Sequence, residues 1–173
     1  ERLNEVGIPL VLYNIPSRTG INMEPETTEK LSYLDNVVGI KEASGNINQM
    51  SEVVIRTRGR CAVMSGDDAL TLPLLSVGGT GVISVVANLF PREMARLVAA
   101  WEEGKREEAL ELHQRLFLLS KALLALETNP GPIKEAMSMV GYPVGHVRQP
   151  LAPLSAANRE RLRKLLVEAG LLS

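Results

Sequence analysis

Short apolar runs alternate with amphipathic segments through the first half of the chain. The runs are rich in β-branched residues, as buried strands are, and they lie at residues 9–14, 37–43, 61–65 and 81–86. Segments with helical spacing separate them, at residues 25–34, 47–57 and 69–76. Strand–helix alternation with nearly continuous apolar strands predicts a parallel α/β sheet that is covered on both faces.

After residue 90 the pattern becomes entirely helical. The predicted helices cover residues 91–103, 106–127, 133–140 and 155–170. Four β/α units make up half of a (β/α)₈ barrel, and a doubly wound sheet is disfavoured because no G-x-G-x-x-G follows the first strand. We therefore predict an α/β fold. Residues 1–90 form the C-terminal half of a TIM (β/α)₈ barrel, and residues 91–173 form its last helix and an all-helical C-terminal region.

The first seven residues have the pattern of a helix end. Leu3 and Val6 are three residues apart, and Gly7 and Pro9 stop the pattern. We expect these residues to be the last turn of a helix that begins earlier, in a longer protein.

Composition narrows the class of protein. Among the 173 residues, 45% are hydrophobic and 23% are charged, which is typical of a globular protein. A formal net charge of −1 argues against a broad nucleic-acid or membrane-binding surface. Cys61 is the sole cysteine, so the chain cannot form an internal disulfide or a cysteine zinc site. A cytoplasmic location is the expectation.

A lysine interrupts the second apolar run, where an ammonium group is expensive to bury. Alternation places Lys41 on the same face as Val37 and Gly39, with Ile40 and Glu42 opposite. If that face is a barrel interior, Gly39 leaves room for the long side chain. Desolvation then favours the neutral amine, which can attack a carbonyl group. The alternative is a strand-end lysine that extends into solvent.

Two further polar residues follow the first strand and converge on the same rim. Tyr13 could carry protons for imine formation, or it could be a packing residue. Arg18, in a Pro-Ser-Arg-Thr-Gly loop, could hold a carboxylate through two parallel N–H···O hydrogen bonds, or it could be an exposed loop residue. Asp67 and Asp68 precede a predicted helix, which favours N-capping over a metal site.

Four segments together resemble one known family. YNIPSRTG (13–20), GIKEASGN (39–46), SGDD (65–68) and GVISVVAN (81–88) are similar to the dihydrodipicolinate synthase family of pyruvate-dependent class I aldolases, which also includes N-acetylneuraminate lyase. NPGPIKEAM (129–137) and LAPLS (151–155) resemble the C-terminal helical region of the family. The resemblance extends from Pro9 to the end of the chain.

The resemblance implies a lyase that condenses pyruvate with L-aspartate 4-semialdehyde in lysine and diaminopimelate biosynthesis. It implies that Lys41 forms a Schiff base with pyruvate, Tyr13 shuttles protons and Arg18 receives the semialdehyde carboxylate. By the same resemblance, Gly66 and Ile83 line the pyruvate pocket, largely through backbone groups. It implies no metal or organic cofactor, and a homotetramer.

Part of the family's site has no counterpart in this sequence. The family places a threonine pair and a second tyrosine on its first four strands, whereas Thr27-Thr28 follow Tyr13 in a predicted helix. We therefore expect little activity from this segment alone. Two alternatives remain: a related aldolase (N-acetylneuraminate lyase or a 2-keto-3-deoxy sugar-acid aldolase), or a non-catalytic oligomerisation module. Arg18 favours the semialdehyde over a sugar acid.

Overall fold

Four parallel strands form one sheet, in the order β1-β2-β3-β4, in the computed structural model, which describes residues 7–173. The strands are β1 (Leu10–Asn14), β2 (Val37–Glu42), β3 (Ala62–Ser65) and β4 (Gly81–Val82). Each strand pairs in parallel with the next. This arrangement confirms the predicted alternation of strands and helices. The helix end predicted within residues 1–6 lies outside the described residues.

Helices follow every strand. Those of the first half are α1 (Pro16–Thr19), α2 (Pro25–Leu31), α3 (Ile47–Thr57) and α4 (Thr71–Ser76). Those after β4 are α5 (Pro91–Glu102), α6 (Arg106–Ala125), α7 (Gly131–Met139) and α8 (Ala156–Glu168). Short 3₁₀ turns occupy Asp68–Leu70 and Val86–Asn88. Within residues 7–173, no helix combines the length and apolar character needed to cross a bilayer.

Two elements differ from their predicted form. The fourth strand ends at Val82, since local bonds turn the chain just afterwards: Ala87 N–H donates to Ser84 Oγ (2.8 Å) and the Asn88 amide donates to Val85 O (2.9 Å). The predicted loop around Arg18 contains the helical turn α1. Pro16 opens this turn, and Gly20 closes it in the left-handed conformation (φ 71°).

The sheet has one covered face and one open face. The covered face carries Ile40 and Val63, which pack with Met50 and Val53 of α3 and Leu74 of α4 into a buried cluster. Side chains at alternate positions point the other way. There Val11 and Tyr13 are each about half exposed.

The chain divides into two compact units, of which the second comprises Ser84–Ser173. In that unit α5 packs on α6, and α8 packs on α6 and α7. Its buried core includes Leu97, Leu123, Leu162 and Leu166. Ser155 caps α8 by accepting a hydrogen bond from Asn158 N–H (3.3 Å), as the sequence predicts.

Candidate active site

Tyr13 and Lys41 lie side by side on the open face of the sheet. They are register partners near the carboxyl ends of β1 and β2. Lys41 is partly buried, and its Nζ lies 4.3 Å from the centre of the Tyr13 ring. Such a contact attracts an ammonium group by about 0.5–1 kcal/mol at an exposed site. The predicted convergence of the amine and the phenol on one rim is therefore present in the structure.

Gly66, directly after β3, makes room for the Lys41 side chain. A Cβ at Gly66 would lie 3.0 Å from Lys41 Cε and 2.6 Å from Ala43 Cβ. The Gly66 N–H donates to Glu42 O (2.8 Å), which holds this backbone beside β2. The space beside Gly39, which was expected to hold Lys41, is occupied by β3: a Cβ at Gly39 would lie 3.2 Å from Met64 Cε and 3.1 Å from Ala62 O.

Arg18 and Ile83 follow β1 and β4, and neither side chain bonds to Lys41 within residues 7–173. Arg18 is exposed on α1, and its guanidinium makes no hydrogen bond or ion pair within residues 7–173. Ile83 is 40% exposed, and its N–H donates to Ser65 O (2.8 Å) directly after the end of β4. The substrate-binding roles expected of both residues stay predictions.

Asp67 has the structural role that the sequence favoured. Its Oδ1 accepts a hydrogen bond from Ala69 N–H (2.9 Å) at the start of the 3₁₀ turn, and its carbonyl accepts one from Ser65 Oγ (2.6 Å). Across the described part of the chain, no group of three or more His, Cys, Asp or Glu side chains is placed to hold a metal ion.

Directly behind Lys41, on the covered face, lies a buried carboxylate that the sequence analysis did not single out. Glu42 is fully buried and accepts four hydrogen-bond contacts. Ser44 N–H donates to Oε1 (2.6 Å), the Asn14 amide contacts both oxygens (3.2 and 3.0 Å), and the Gln49 amide donates to Oε2 (3.2 Å). No Lys, Arg or His forms an ion pair with Glu42 within residues 7–173.

Asn22 extends this arrangement into the segment after α1. Its Oδ1 accepts from the Asn14 amide (2.9 Å) and from the Gln49 amide (3.1 Å). Its own amide donates to Gln49 Oε1 (2.8 Å). We call Asn14, Asn22, Glu42 and Gln49 the strand-end network. The alternation that placed Glu42 opposite Lys41 was a usable signal, because a buried carboxylate requires hydrogen-bond partners.

Comparison with known proteins identifies one protein family that this chain matches. A sequence model of the Dihydrodipicolinate synthetase family matches residues 3–169. The 4-hydroxy-tetrahydrodipicolinate synthase of Methanococcoides burtonii is 52% identical over 168 residues, covering 96% of this chain and 57% of that protein. The synthase of the same name from Archaeoglobus fulgidus is 45% identical over 170 residues, covering 98% of this chain and 58% of that protein.

Solved structures give the same picture. Dihydrodipicolinate synthase from Thermotoga maritima is similar with a TM-score of 0.94 and 43% identity, over 99% of this chain and 59% of that one. Dihydrodipicolinate synthase from Aquifex aeolicus is similar with a TM-score of 0.91 and 42% identity, over 96% of this chain and 57% of that one. This chain spans somewhat more than half the length of the relatives it matches, and corresponds to their C-terminal portion. This correspondence confirms the predicted half of a TIM barrel followed by a helical region.

Proposed function

Because the chain belongs to the dihydrodipicolinate synthetase family, we propose that it supplies the lysine-bearing part of a lyase that condenses pyruvate with L-aspartate 4-semialdehyde. The observation that carries the proposal is the position of the Lys41 amine. It lies 4.3 Å from the Tyr13 ring, on the open face of the sheet at the carboxyl ends of the strands. Catalytic groups of α/β barrels are found at that end.

In the proposed reaction the neutral Lys41 amine attacks the ketone carbon of pyruvate. The carbonyl oxygen takes up a proton and the nitrogen loses one to give a carbinolamine; a second proton on its hydroxyl group lets water leave and gives an iminium ion. Loss of a proton from the adjacent methyl carbon gives an enamine. The enamine carbon bonds to the aldehyde carbon while the aldehyde oxygen takes up a proton, which regenerates an iminium ion that water hydrolyses to release the product and the Lys41 amine. The iminium ion accepts the electron pair, so the sequence of steps requires neither a metal nor an organic cofactor.

Tyr13 is the proposed proton carrier for these steps. In the structure the Lys41 amine lies over the ring face, and no hydrogen bond joins it to the phenol oxygen within the described residues. Proton transfer therefore requires that Lys41 rotates toward the hydroxyl group or that a water molecule bridges the two. The four-carbon stem of lysine permits that rotation. Removing the hydroxyl group in Tyr13→Phe keeps the ring contact and isolates the proton-transfer role.

Arg18, Gly66 and Ile83 complete the proposal. The exposed Arg18 guanidinium has no partner among the residues described and is free to pair with a carboxylate on the acceptor aldehyde. Gly66 packs against the Lys41 side chain, and the N–H groups of Gly66 and Ile83 bond to Glu42 O and Ser65 O of the neighbouring strands. Their proposed role is therefore to shape the pyruvate pocket beside Lys41. The homotetramer implied by the resemblance stays a prediction.

Borohydride trapping tests the proposal directly. The chain is incubated with pyruvate and sodium borohydride, which reduces any imine to a stable amine, and the adduct is located by peptide mass spectrometry. We expect the adduct on Lys41. Lys41→Arg should abolish it, while Lys30→Arg, which removes a lysine from α2, should leave it unchanged. An adduct distributed over surface lysines, or none in any context, would overturn the proposal.

A hybrid protein tests whether the chain acts alone. The hybrid joins the N-terminal portion of the Methanococcoides burtonii synthase that this chain does not match to residues 1–173. Because the family's threonine pair and second tyrosine have no counterpart on the strands described here, we expect slow trapping in the chain and fast trapping in the hybrid. Equally rapid turnover by both would contradict the expectation of low activity alone.

Measurements on Arg18→Ala and on self-association distinguish the proposed reaction from the two alternative functions. With a sugar-acid aldolase, the hybrid would consume an aldose faster than the semialdehyde, and Arg18→Ala would have little effect. With an oligomerisation module, neither protein would form the pyruvate adduct, yet the chain would associate in sedimentation measurements. The condensation reaction predicts that Arg18→Ala raises KM for the semialdehyde and leaves the trapping of pyruvate unchanged.

A further inference from the structure

Only part of the pairing between β1 and β2 sets the alignment of Tyr13 with Lys41. The pairing contains an irregularity: Leu10 is opposite Val37 but Val11 is opposite Gly39, so Val38 has no partner. An extra residue of this kind disrupts the ladder locally. The alignment of Tyr13 with Lys41 therefore depends on the four pairs from Val11–Gly39 to Asn14–Glu42 at the carboxyl ends of the strands.

The open face does not provide that alignment. Tyr13 is 47% exposed there, and its contact with Lys41 is a cation–ring contact, which has no strict geometry along the strand. The covered face does provide it. Asn14 and Glu42 directly follow Tyr13 and Lys41, are register partners themselves, and are almost fully buried.

The orientation of the Asn14 amide is fixed by its neighbours. Asn14 Oδ1 accepts a hydrogen bond from Met23 N–H (2.9 Å), so its Nδ2 is the atom that meets both oxygens of Glu42. Ser44 N–H and Gln49 from the start of α3 hold the carboxylate from the other side. A one-residue slip of β1 against β2 would break these contacts and would place Tyr13 on the wrong face.

We propose that Glu42 is a positioning residue for the Schiff-base reaction: through the strand-end network it holds Lys41 in register with Tyr13. Glu42 faces away from the substrate side and acts through the backbone of β2. The same network reaches Asn22, so the segment that follows Arg18 is fixed to the same point. This inference rests on the proposed function for its kinetic consequence, but its structural consequence can be measured without any reaction.

The structural measurement is the proton NMR spectrum of the full chain. A lysine Nζ over a ring places the neighbouring Hε protons in the shielding region, so the Lys41 Hε signals should lie upfield and should move back in Tyr13→Leu. Glu42→Ala should lose most of the upfield shift, and Met50→Ala should keep it. Glu42→Gln should lose part of it, because its NH₂ group would face the donating amides of Asn14 and Gln49. Met50 is a matched control, because it is fully buried under the same face and has no part in the network.

The kinetic measurement is the rate constant of borohydride trapping in the hybrid protein. Loss of folded protein lowers the amount of adduct, whereas loss of alignment lowers the rate constant of the protein that is folded. A displacement of about 1 Å reduces such rates by roughly 100-fold. We expect a fall of that order for Glu42→Ala, a smaller fall for Glu42→Gln, and for Met50→Ala a lower yield with an unchanged rate constant.

Exchanging the amide of Asn14 and the carboxylate of Glu42 provides a further test. Asn14→Asp alone places two carboxylates against each other and should slow trapping at least as much as Glu42→Ala. Asn14→Asp combined with Glu42→Gln restores one carboxylate and one amide, so the double variant should recover much of the rate. Recovery supports the proposal.

The outcomes distinguish the two hypotheses. An unchanged Lys41 Hε shift in folded Glu42→Ala would overturn the positioning role, whatever the kinetics. A lost shift together with no wild-type adduct would support the positioning role and remove the proposed function. A Glu42→Ala variant that traps at the wild-type rate constant, with less folded protein, would mean that Glu42 only stabilises the fold.

Discussion

Replacing Gly66 with alanine should displace the Lys41 side chain while the sheet stays folded. The new Cβ would lie 2.6 Å from Ala43 Cβ, 3.0 Å from Lys41 Cε and 3.2 Å from Lys41 Cγ. Carbon atoms in favourable contact are about 3.5–4.0 Å apart, so these atoms must separate by about 0.5–1 Å. Gly66 does not have a left-handed backbone, so the added methyl group acts through contact and not through backbone strain.

The stability and the reaction should respond differently to this substitution. Inserting a methyl group into a packed site usually costs about 1–3 kcal/mol of unfolding free energy. The 2.6 Å contact with Ala43 Cβ can be relieved only if the backbones at positions 43 and 66 move apart, whereas the Lys41 stem can move away from the new methyl group. Both movements displace Lys41, and a shift of about 1 Å at the amine corresponds to roughly a 100-fold slower reaction.

The assay is the rate constant of pyruvate trapping in the hybrid protein, measured beside a urea titration. Gly81→Ala is the matched control, since Gly81 lies on the same face in register with Met64, and a Cβ there would meet no atom within 4 Å. We expect Gly81→Ala to trap at the wild-type rate. If folded Gly66→Ala also traps at that rate, the close packing of Lys41 on Gly66 does not position the amine.

Three further predictions concern stability. Leu123→Ala, at a fully buried site of α6, should lower the unfolding free energy by about 2–5 kcal/mol. Leu118→Ala, at a site of the same helix that is 64% exposed, should change it by less than about 0.5 kcal/mol. Urea titration of both variants measures the difference. Asn46→Ala removes the cap that accepts from two N–H groups of α3, and the same titration should show a loss of about 1 kcal/mol. Burial lowers the pKa of His113 below its ordinary value of 6.5, so the folded state binds fewer protons than the unfolded state and stability should fall as pH drops below 6.5. His113→Leu should remove the part of the dependence that sets in below pH 6.5, and an identical slope in the variant would assign it to other groups.

The sequence was sufficient for the order and type of most elements. Strands β1, β2 and β3 are recognisable as short apolar runs that end in turn residues, and Ser155 and Asp67 cap helices as their residue types favour. The end of β4 was not recognisable. Ser84 and Asn88 can bond to nearby backbone groups, and whether they do so or continue a strand depends on tertiary contacts that a pattern does not contain.

The candidate site could likewise be predicted from the sequence only in part. Alternation along β2 and the strand order together place Lys41 beside Tyr13, so this pair could be predicted from residue positions alone. The contact of Lys41 with Gly66 could not, since it depends on the direction in which a long side chain leaves β2. Gly39 was the nearer choice along the strand, but the flexible Met64 side chain occupies that space.

The strand-end network explains why polar residues lie on the covered face at this one level of the sheet. Leucine side chains at positions 14 and 42 would bury as much surface, but dispersion contacts have no preferred direction and tolerate small displacements along the strand better than hydrogen bonds do. Hydrogen bonds weaken steeply outside a narrow range of distance and angle, so the Asn14–Glu42 contacts select one alignment. A buried carboxylate is tolerated because N–H groups occupy both of its oxygens. Beyond the irregularity at the start of β1, these directional bonds therefore reinforce the one alignment in which Lys41 lies beside Tyr13.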